Sequence, residues 1–199
     1  MVITVPVLDN ALKSIEDINS KHTQVVYMSP KGDMLNQSMA DNMSSSYNHI
    51  VIICGHYEGI DERIFSLYQI KEISIGDYVL TGGELAALAL IDSVTRLIPT
   101  VIDKDSKHNE TFLDNLLEEP QYTKPEEYNG LKVPEVLLSG NHKKIEEFRY
   151  EQRLHLTYKR RPDLYTLHIN QLDNKQKQII ENKINQIVNK KEGKQNGSY

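Results

Sequence analysis

Glycines and polar side chains follow three apolar, β-branched runs at the points where those runs end. The three segments are 27–32 (YMSPKG), 55–59 (GHYEG) and 75–83 (IGDYVLTGG). In an open α/β sheet, small ligands bind at the carboxyl ends of the strands. A glycine there lets backbone N–H and C=O groups approach a ligand closely, as in hydrogen bonding to an adenine edge or a ribose. Each glycine taken alone is better explained by a tight turn, so the prediction of a pocket rests on the three loops together.

The common nucleotide, nucleophile and metal motifs do not occur. The sequence contains no GxGxxG, GxxxxGK[ST] or GxSxG pattern, so it supports neither a standard dinucleotide fold, a P-loop NTPase nor an α/β hydrolase. The seven histidines show no HxxH or HExxH spacing, which argues against a zinc centre of sequence-local ligands. The single cysteine, Cys54, lies in the apolar run HIVIIC and is predicted to be a buried strand residue. We therefore predict no structural metal, and a lone cysteine fits a reducing cytoplasm.

Composition and charge narrow the classes of protein further. The 199 residues are 39% apolar and 26% charged, as in a globular protein of one medium or two small domains. No run reaches the roughly 18 apolar residues that a bilayer span needs, and no secretory signal is predicted at the N-terminus. The net charge is −5, yet residues 143–165 hold seven Lys or Arg against four acids. Such a basic face can bind a phosphate backbone, although taken alone it is better explained as a solvated helix face.

Strands and helices alternate along the first half of the chain, which predicts an α/β sheet. Strands are predicted at 22–30, 48–55 and 72–80, and helices at 7–18, 36–43 and 84–98. The last of these helices has apolar residues on more than one face, so we expect it to be buried and to end at Pro99.

A polar segment at 100–109 has no periodicity and is predicted to be a linker between two domains. Beyond it, Pro and Gly interrupt the chain until helices predicted at 141–159 and about 171–189. The last ten residues are polar and are predicted to form a frayed tail.

Four segments, in this order, resemble a known family. They are GHYEGIDERI (55–64), EISIGDYVLTGGELAALALIDSVTRLIP (72–99), LLEEPQYTKPE (116–126) and VPEVLLSGNHKKIEEFR (133–149). The chain closely resembles the bacterial tRNA (guanine-N1)-methyltransferases up to about its final helix. The resemblance implies a SPOUT-type α/β domain with a C-terminal trefoil knot, an exception to the rule that chains are not knotted, and then a small helical tRNA-binding domain. The domains and their linker are expected at 1–100, 101–115 (linker) and 116–199.

The resemblance also implies a reaction and its cofactor. Members of the family transfer the methyl group of S-adenosylmethionine to N1 of the guanosine immediately 3′ of the tRNA anticodon, as cytoplasmic homodimers with the active site at the interface. They are also described as needing magnesium, although no acidic cluster in this sequence has recognisable ligand spacing. By position, the cofactor contacts are expected at Gly55, Ile75, Gly76, Asp77, Tyr78, Val79 and Leu80, with Tyr27, Met28 and Glu58 nearby. Gly82 and Gly83 are expected to allow the turn into the following helix.

Two residues are expected to carry the chemistry. Guanine N1 bears a proton at neutral pH, so the transfer needs a base for that proton and a cation for the charge developing on O6. Arg96 aligns with the family's catalytic arginine, although without the family it would be an ordinary charge at a helix end. The family's base is an aspartate after the linker, and Glu110 takes its position here. Asp114 is the weaker alternative, and both acids could instead be solvated linker residues.

The N-terminus departs from the family pattern, because Met1-Val2 aligns with the end of a glycine-rich segment inside the family. Family members carry a strand, a helix and a loop before that point. Two hypotheses therefore stand: an active methyltransferase, or a catalytically impaired fragment that binds tRNA or cofactor. Turnover on tRNA separates them.

Overall fold

The computed structural model describes residues 1–99, 101, 112, 114–180, 182 and 184. The chain divides into two compact units, Met1–Lys104 and Asp105–Tyr199. The predicted base Glu110, most of the predicted linker and the predicted tail lie outside the described residues.

A three-stranded parallel sheet forms the centre of the first unit. The strands are β1 (Thr23–Met34), β2 (His49–Cys54) and β3 (Ile70–Ser74), in the order β2-β1-β3. Around them lie α1 (Val5–Lys13), α2 (Gln37–Ser46), a 3₁₀ helix (Glu62–Ser66) and α3 (Glu84–Thr95). This arrangement confirms the predicted α/β class.

Both faces of the sheet are covered, which is why its strands are nearly continuous apolar runs. On one face, α2 and α3 pack over a core that includes Val26, Ile73 and Leu90. On the other face, α1 and the 3₁₀ helix pack over a core that includes Leu12 and Ile64. The three strand ends are therefore held rigidly from both sides.

Strand β1 continues four residues beyond its predicted end at Pro30. Its register against β3 shifts between Met28 and Asp33, which marks a bulge. A proline in a bulge removes no ladder hydrogen bond, so Pro30 does not end the strand. Gly32 makes the pairing possible, because a Cβ at that position would overlap the backbone of β3.

Strand β3 is shorter than predicted, since it ends at Ser74 and residues 75–80 are not strand. The Ser74 hydroxyl accepts a hydrogen bond from the Gly76 N–H at 3.2 Å and donates one to the Gly76 carbonyl at 3.1 Å. These contacts turn the backbone out of the sheet. The segment 75–83 is therefore a loop at the edge where the strands end.

Helix α3 has one buried and one exposed apolar face. Its buried residues are Ala86, Ala87, Leu90 and Val94. On the other side, Leu85, Leu88 and Ile91 are 63%, 59% and 45% exposed. The prediction that α3 is buried therefore holds for one face only, because the other apolar face is exposed.

The second unit is built mainly from helices. A hairpin of β4 (Glu127–Tyr128) and β5 (Leu131–Lys132) precedes α4 (Glu135–Leu138), α5 (His142–Arg160) and α6 (Pro162–Asn170). A further helix has described residues 174–180, 182 and 184. The core of the second unit contains Leu116, Leu154, Ile180 and Ile184. The sequence prediction missed α6, because Pro162 opens a new helix in its first turn as well as ending the previous one.

Candidate functional site

The carboxyl ends of β2 and β3 and the bulge of β1 open into one cavity of about 220 Å³. Its walls are residues 27–31, 55–59, 73–76 and 78–83, with Ala86 of α3. Nine of the ten residues predicted to contact the cofactor line it: Tyr27, Met28, Gly55, Glu58, Ile75, Gly76, Tyr78, Val79 and Leu80. The tenth, Asp77, is exposed in the same loop and is not part of the lining.

Tyr27 packs against two glycines of the cavity wall. A Cβ on Gly55 would lie 2.7 Å from the Tyr27 hydroxyl oxygen, and one on Gly59 would lie 3.2 Å from it. Burial raises the pKa of Tyr27, and the charge of Glu72 raises it further. The hydroxyl therefore stays protonated at neutral pH, and Gly55 is required because the ring approaches the backbone closely.

The loop 55–59 is a tight turn with a fixed backbone. Tyr57 has φ 56° and Gly59 has φ 107°, both in the left-handed region, and the Gly59 N–H donates to the His56 carbonyl at 3.1 Å. The N-terminal segment also bonds to this loop, since the Ile3 N–H donates to the Gly59 carbonyl at 3.0 Å. The loop can therefore present polar backbone groups in one defined arrangement.

Gly83 joins the start of α3 to the end of β2. Its N–H donates to the Gly55 carbonyl at 3.1 Å, and a Cβ on it would lie 2.9 Å from Cys54 Cα. Its φ of −79° is open to any residue, so the expected role in freeing the turn is wrong for Gly83. The position needs glycine because two backbone segments touch there.

The side chains of His56 and Glu84 contact each other beside the cavity, with 2.5 Å between His56 Nε2 and Glu84 Oε1. The backbone N–H of Glu84 and the His56 ring hold the pKa of Glu84 below its usual value, against a smaller opposing effect of burial. The sequence analysis missed this pair. Its members are 28 residues apart, so no local spacing could reveal it.

The loop 75–83 crosses the ends of all three strands. Strands β3 and β2 lie at opposite edges of the sheet with β1 between them. The loop leaves β3 after Ser74 and reaches β2 where Gly83 bonds to Gly55. It therefore forms the roof of the cavity.

Arg96 lies away from this cavity. It follows the last residue of α3, is exposed, and donates its backbone N–H to the Asp92 carbonyl at 3.2 Å. Ten residues separate it from Ala86 in the cavity wall, which corresponds to about 15 Å along the helix axis. The chain thus does not bring Arg96 to its own cavity.

Asp114, the alternative base, is part of a polar network in the second unit. Its Oδ1 lies 2.5 Å from Arg153 Nη2, and its backbone carbonyl lies 2.7 Å from His168 Nδ1. His168 Nε2 in turn lies 3.0 Å from the Tyr150 hydroxyl, whose pKa is raised by burial and by the Asp114 charge. Because its side chain already neutralises Arg153, Asp114 has a structural role in this unit.

The basic segment 143–165 is only partly neutralised. Arg149, Arg153 and Arg161 form ion pairs with neighbouring acids. Four exposed basic residues make no ion pair with the residues that the structure describes: Lys143, Lys144, Lys159 and Arg160. These charges remain available to a polyanion.

Within the residues that the structure describes, no group of three or more His, Cys, Asp or Glu is arranged to hold a metal ion. Within the same residues, no helix is long and apolar enough to cross a membrane.

The family model for tRNA (Guanine-1)-methyltransferase TrmD matches residues 1–167. The chain belongs to this family. The tRNA (guanine-N(1)-)-methyltransferase of Clostridioides difficile is 56% identical over 161 residues, which cover 80% of this chain and 69% of the relative. The enzyme of the same name from Mycoplasma capricolum is 51% identical over 157 residues, 79% of this chain and 65% of the relative. The one from Staphylococcus carnosus is 47% identical over 191 residues, 96% of this chain and 76% of the relative.

These matches confirm the family and the enzyme class predicted from the four sequence segments. The matched region spans about two thirds of the length of the first two relatives. The cavity lies within the part of the chain that the family model covers.

Proposed function

We propose that this chain transfers the methyl group of S-adenosylmethionine to N1 of the guanosine immediately 3′ of a tRNA anticodon. The observation that carries the proposal is the cavity at the bulge of β1 and the carboxyl ends of β2 and β3, where nine residues expected to contact the cofactor converge. Membership of the TrmD family supplies the reaction class. A protein that modifies tRNA would work in the cytoplasm.

Gly55, Gly59 and the loop 75–80 would hold the cofactor. Tyr27 packs closely against Gly55 and Gly59, and all three residues line the cavity. The loop 75–83 closes it from above, and we propose that this crossing belongs to the trefoil knot of the family. The family resemblance implies that the cofactor binds there in a bent conformation.

The active site would be completed by a second copy of the chain. Arg96 lies about 15 Å along α3 from the cavity of its own chain, so its charge would have to reach the cavity of a partner. The exposed apolar residues of α3, Leu85, Leu88 and Ile91, give a surface suited to such a partner. A homodimer accounts for both observations.

The chemistry of the step is a single displacement. When bound, S-adenosylmethionine would supply an electrophilic methyl carbon, which would pass from its sulfonium sulfur to N1 while the electron pair of the C–S bond stays with sulfur. A carboxylate of the protein would accept the N1 proton. The Arg96 guanidinium would stabilise the negative charge developing on O6.

Glu110 is our candidate for that carboxylate. It lies outside the described residues, so its assignment depends on its position after the linker. Asp114 is the weaker candidate, because Arg153 lies 2.5 Å from its carboxylate and the Leu116 N–H donates to it at 3.3 Å.

The second unit would bind the tRNA. Its exposed cations at 143–144 and 159–160 would contact phosphates, which carry most of the affinity of a protein for nucleic acid. Magnesium would act through the tRNA or the catalytic carboxylate. The described residues offer no ligand cluster, so no step is assigned to the ion.

The test is transfer of a labelled methyl group to an unmodified tRNA transcript with guanosine 3′ of its anticodon. A matched transcript with adenosine at that position is the control, and the product is mapped to N1 by nuclease digestion and mass spectrometry. Transfer to the guanosine transcript alone supports the proposal. Cofactor binding without transfer to either transcript would favour the alternative, a binding protein without turnover.

A further inference from the structure

The cavity wall formed by the loop 55–59 is tied to α3 by three contacts. The Gly83 N–H bonds to the Gly55 carbonyl at 3.1 Å, residues 56 and 82 form an isolated antiparallel bridge, and His56 pairs with Glu84. The first two contacts involve only backbone. The His56–Glu84 pair is the side-chain contact, with Nε2 and Oε1 2.5 Å apart.

Gly82 borders the contact between His56 and Glu84, and the space there is too small for a side chain at position 82. A Cβ on Gly82 would overlap the Glu84 carboxylate, and it would lie 3.0 Å from His56 Cε1. Any larger residue at position 82 would therefore push the two partners apart. Because Gly82 has no side chain, it leaves room for the contact between His56 and Glu84.

His56 itself lines the cavity, while Glu84 stands behind it in the first turn of α3. Both side chains are about half exposed, at 51% and 54%. A polar side-chain contact of that exposure contributes little to global stability. Its consequence is local, because it holds the His56 ring and the adjoining turn in one orientation.

We propose that His56 and Glu84 are positioning residues for the cofactor, which hold the loop 55–59 as a preformed wall of the cavity. The inference rests on the proposed function, because it assigns the pair to the S-adenosylmethionine site. A preformed wall lowers the ordering cost of binding. The pair therefore affects the affinity for the cofactor, while the methyl-transfer step depends on other groups.

The experiment compares His56→Gln, Glu84→Gln, the double variant and His56→Arg with the unmodified chain. Calorimetry gives the Kd for S-adenosylmethionine, steady-state kinetics gives KM and kcat, and thermal melting gives Tm. Arg63→Gln is the control, because it breaks the exposed Asp61–Arg63 pair, which is 2.7 Å long and does not line the cavity.

Each single variant should raise Kd and KM for the cofactor by about two- to fivefold, the range of an exposed polar contact, with kcat and Tm nearly unchanged. The double variant should be no worse than either single variant, because the two substitutions remove the same contact. His56→Arg should restore affinity relative to His56→Gln, since the guanidinium can donate to the Glu84 carboxylate, and Arg63→Gln should have no effect.

The outcomes separate this inference from the proposed function. If the unmodified chain binds cofactor and the His56 and Glu84 variants bind it equally well, the inference alone is overturned. Additive losses in the double variant, or failure of His56→Arg to restore binding, would also overturn it. An unmodified chain that does not bind S-adenosylmethionine would overturn the proposed function and this inference with it.

Discussion

Arg96 and Glu110 are assigned to chemistry by family position, while the cofactor residues are also supported by where they lie. Arg96 stands at the far end of α3 from the cavity wall that Ala86 helps to form. A residue in that place can act on a substrate without touching the cofactor bound in its own chain. The effects of an Arg96 substitution on cofactor binding and on turnover can therefore be measured separately.

Arg96→Ala should lower kcat by about a hundredfold or more, the usual cost of removing a group that stabilises developing oxyanion charge. The Kd for S-adenosylmethionine should stay within error, because Arg96 is proposed to act on O6 of the guanosine and not on the cofactor. Calorimetry and single-turnover transfer measure the two quantities. Unchanged turnover would remove Arg96 from the mechanism.

Substitutions at Glu110 and Asp114 distinguish the two candidate bases. Glu110→Gln should abolish turnover, whereas Glu110→Asp should retain it or improve it, since a carboxylate remains. Asp114→Asn should lower Tm while leaving kcat largely intact, because its carboxylate pairs with Arg153. Full activity in Glu110→Gln would place the base elsewhere.

At this scale the three glycine-bearing loops after β-branched runs predicted where the cavity lies, whereas the individual cofactor residues came from the family resemblance and stay a prediction. Nine of ten expected residues line the cavity, and Asp77 does not. The His56–Glu84 pair could not be predicted, because contacts between residues 28 apart depend on how two loops fold together.

Gly82 and Gly83, which precede α3, differ in the atoms that surround them. A Cβ on Gly83 would meet backbone of β2, which cannot move, whereas a Cβ on Gly82 would meet the flexible end of Glu84. Gly83→Ala should therefore lower the free energy of unfolding by about 1–3 kcal/mol, as overpacking does. Gly82→Ala should change it by less than about 0.5 kcal/mol and act on cofactor affinity instead. Chemical denaturation compares them, and equal stabilities would contradict this account.

The exposed apolar face of α3 predicts that two copies of the chain associate through it. A single substitution on that face should prevent the association. Leu88→Glu places a charge in the middle of the apolar stripe and should give a monomer that still binds S-adenosylmethionine but no longer methylates tRNA. Leu131→Glu is the control, because Leu131 is 77% exposed in the second unit and should leave association unchanged. Analytical ultracentrifugation measures the oligomeric state. If the Leu88→Glu variant dimerised with the same affinity as the unmodified chain, the prediction would be contradicted.

Among the elements, helix and strand order could be predicted from apolar periodicity, but several ends could not. The predicted strand at 72–80 loses its last six residues because Ser74 bonds to the Gly76 backbone. Strand β1 continues past Pro30 because this proline lies in a bulge, where the ladder needs no N–H from it. The sequence marked α3 as apolar on several faces, but it did not show that one of them is open in the single chain.

In the whole molecule, cofactor and catalytic cation would come from different copies of the chain. A two-fold dimer places the same surface on both copies, so each would supply Arg96 to the other's cavity. The cavity belongs to the first unit, and the proposed tRNA contacts belong to the second. Function would then depend on assembly as well as on each unit's own fold.

The most direct test of this shared active site is a mixed dimer of two inactive variants. One chain carries Arg96→Ala and the other Gly55→Val, which must be shown to dimerise and to have lost S-adenosylmethionine binding. Random mixing should restore about a quarter of the unmodified methyl transfer, because half the dimers are mixed and each has one intact site of two. No restoration, with mixed dimers shown to form, would contradict the claim that Arg96 acts across the interface.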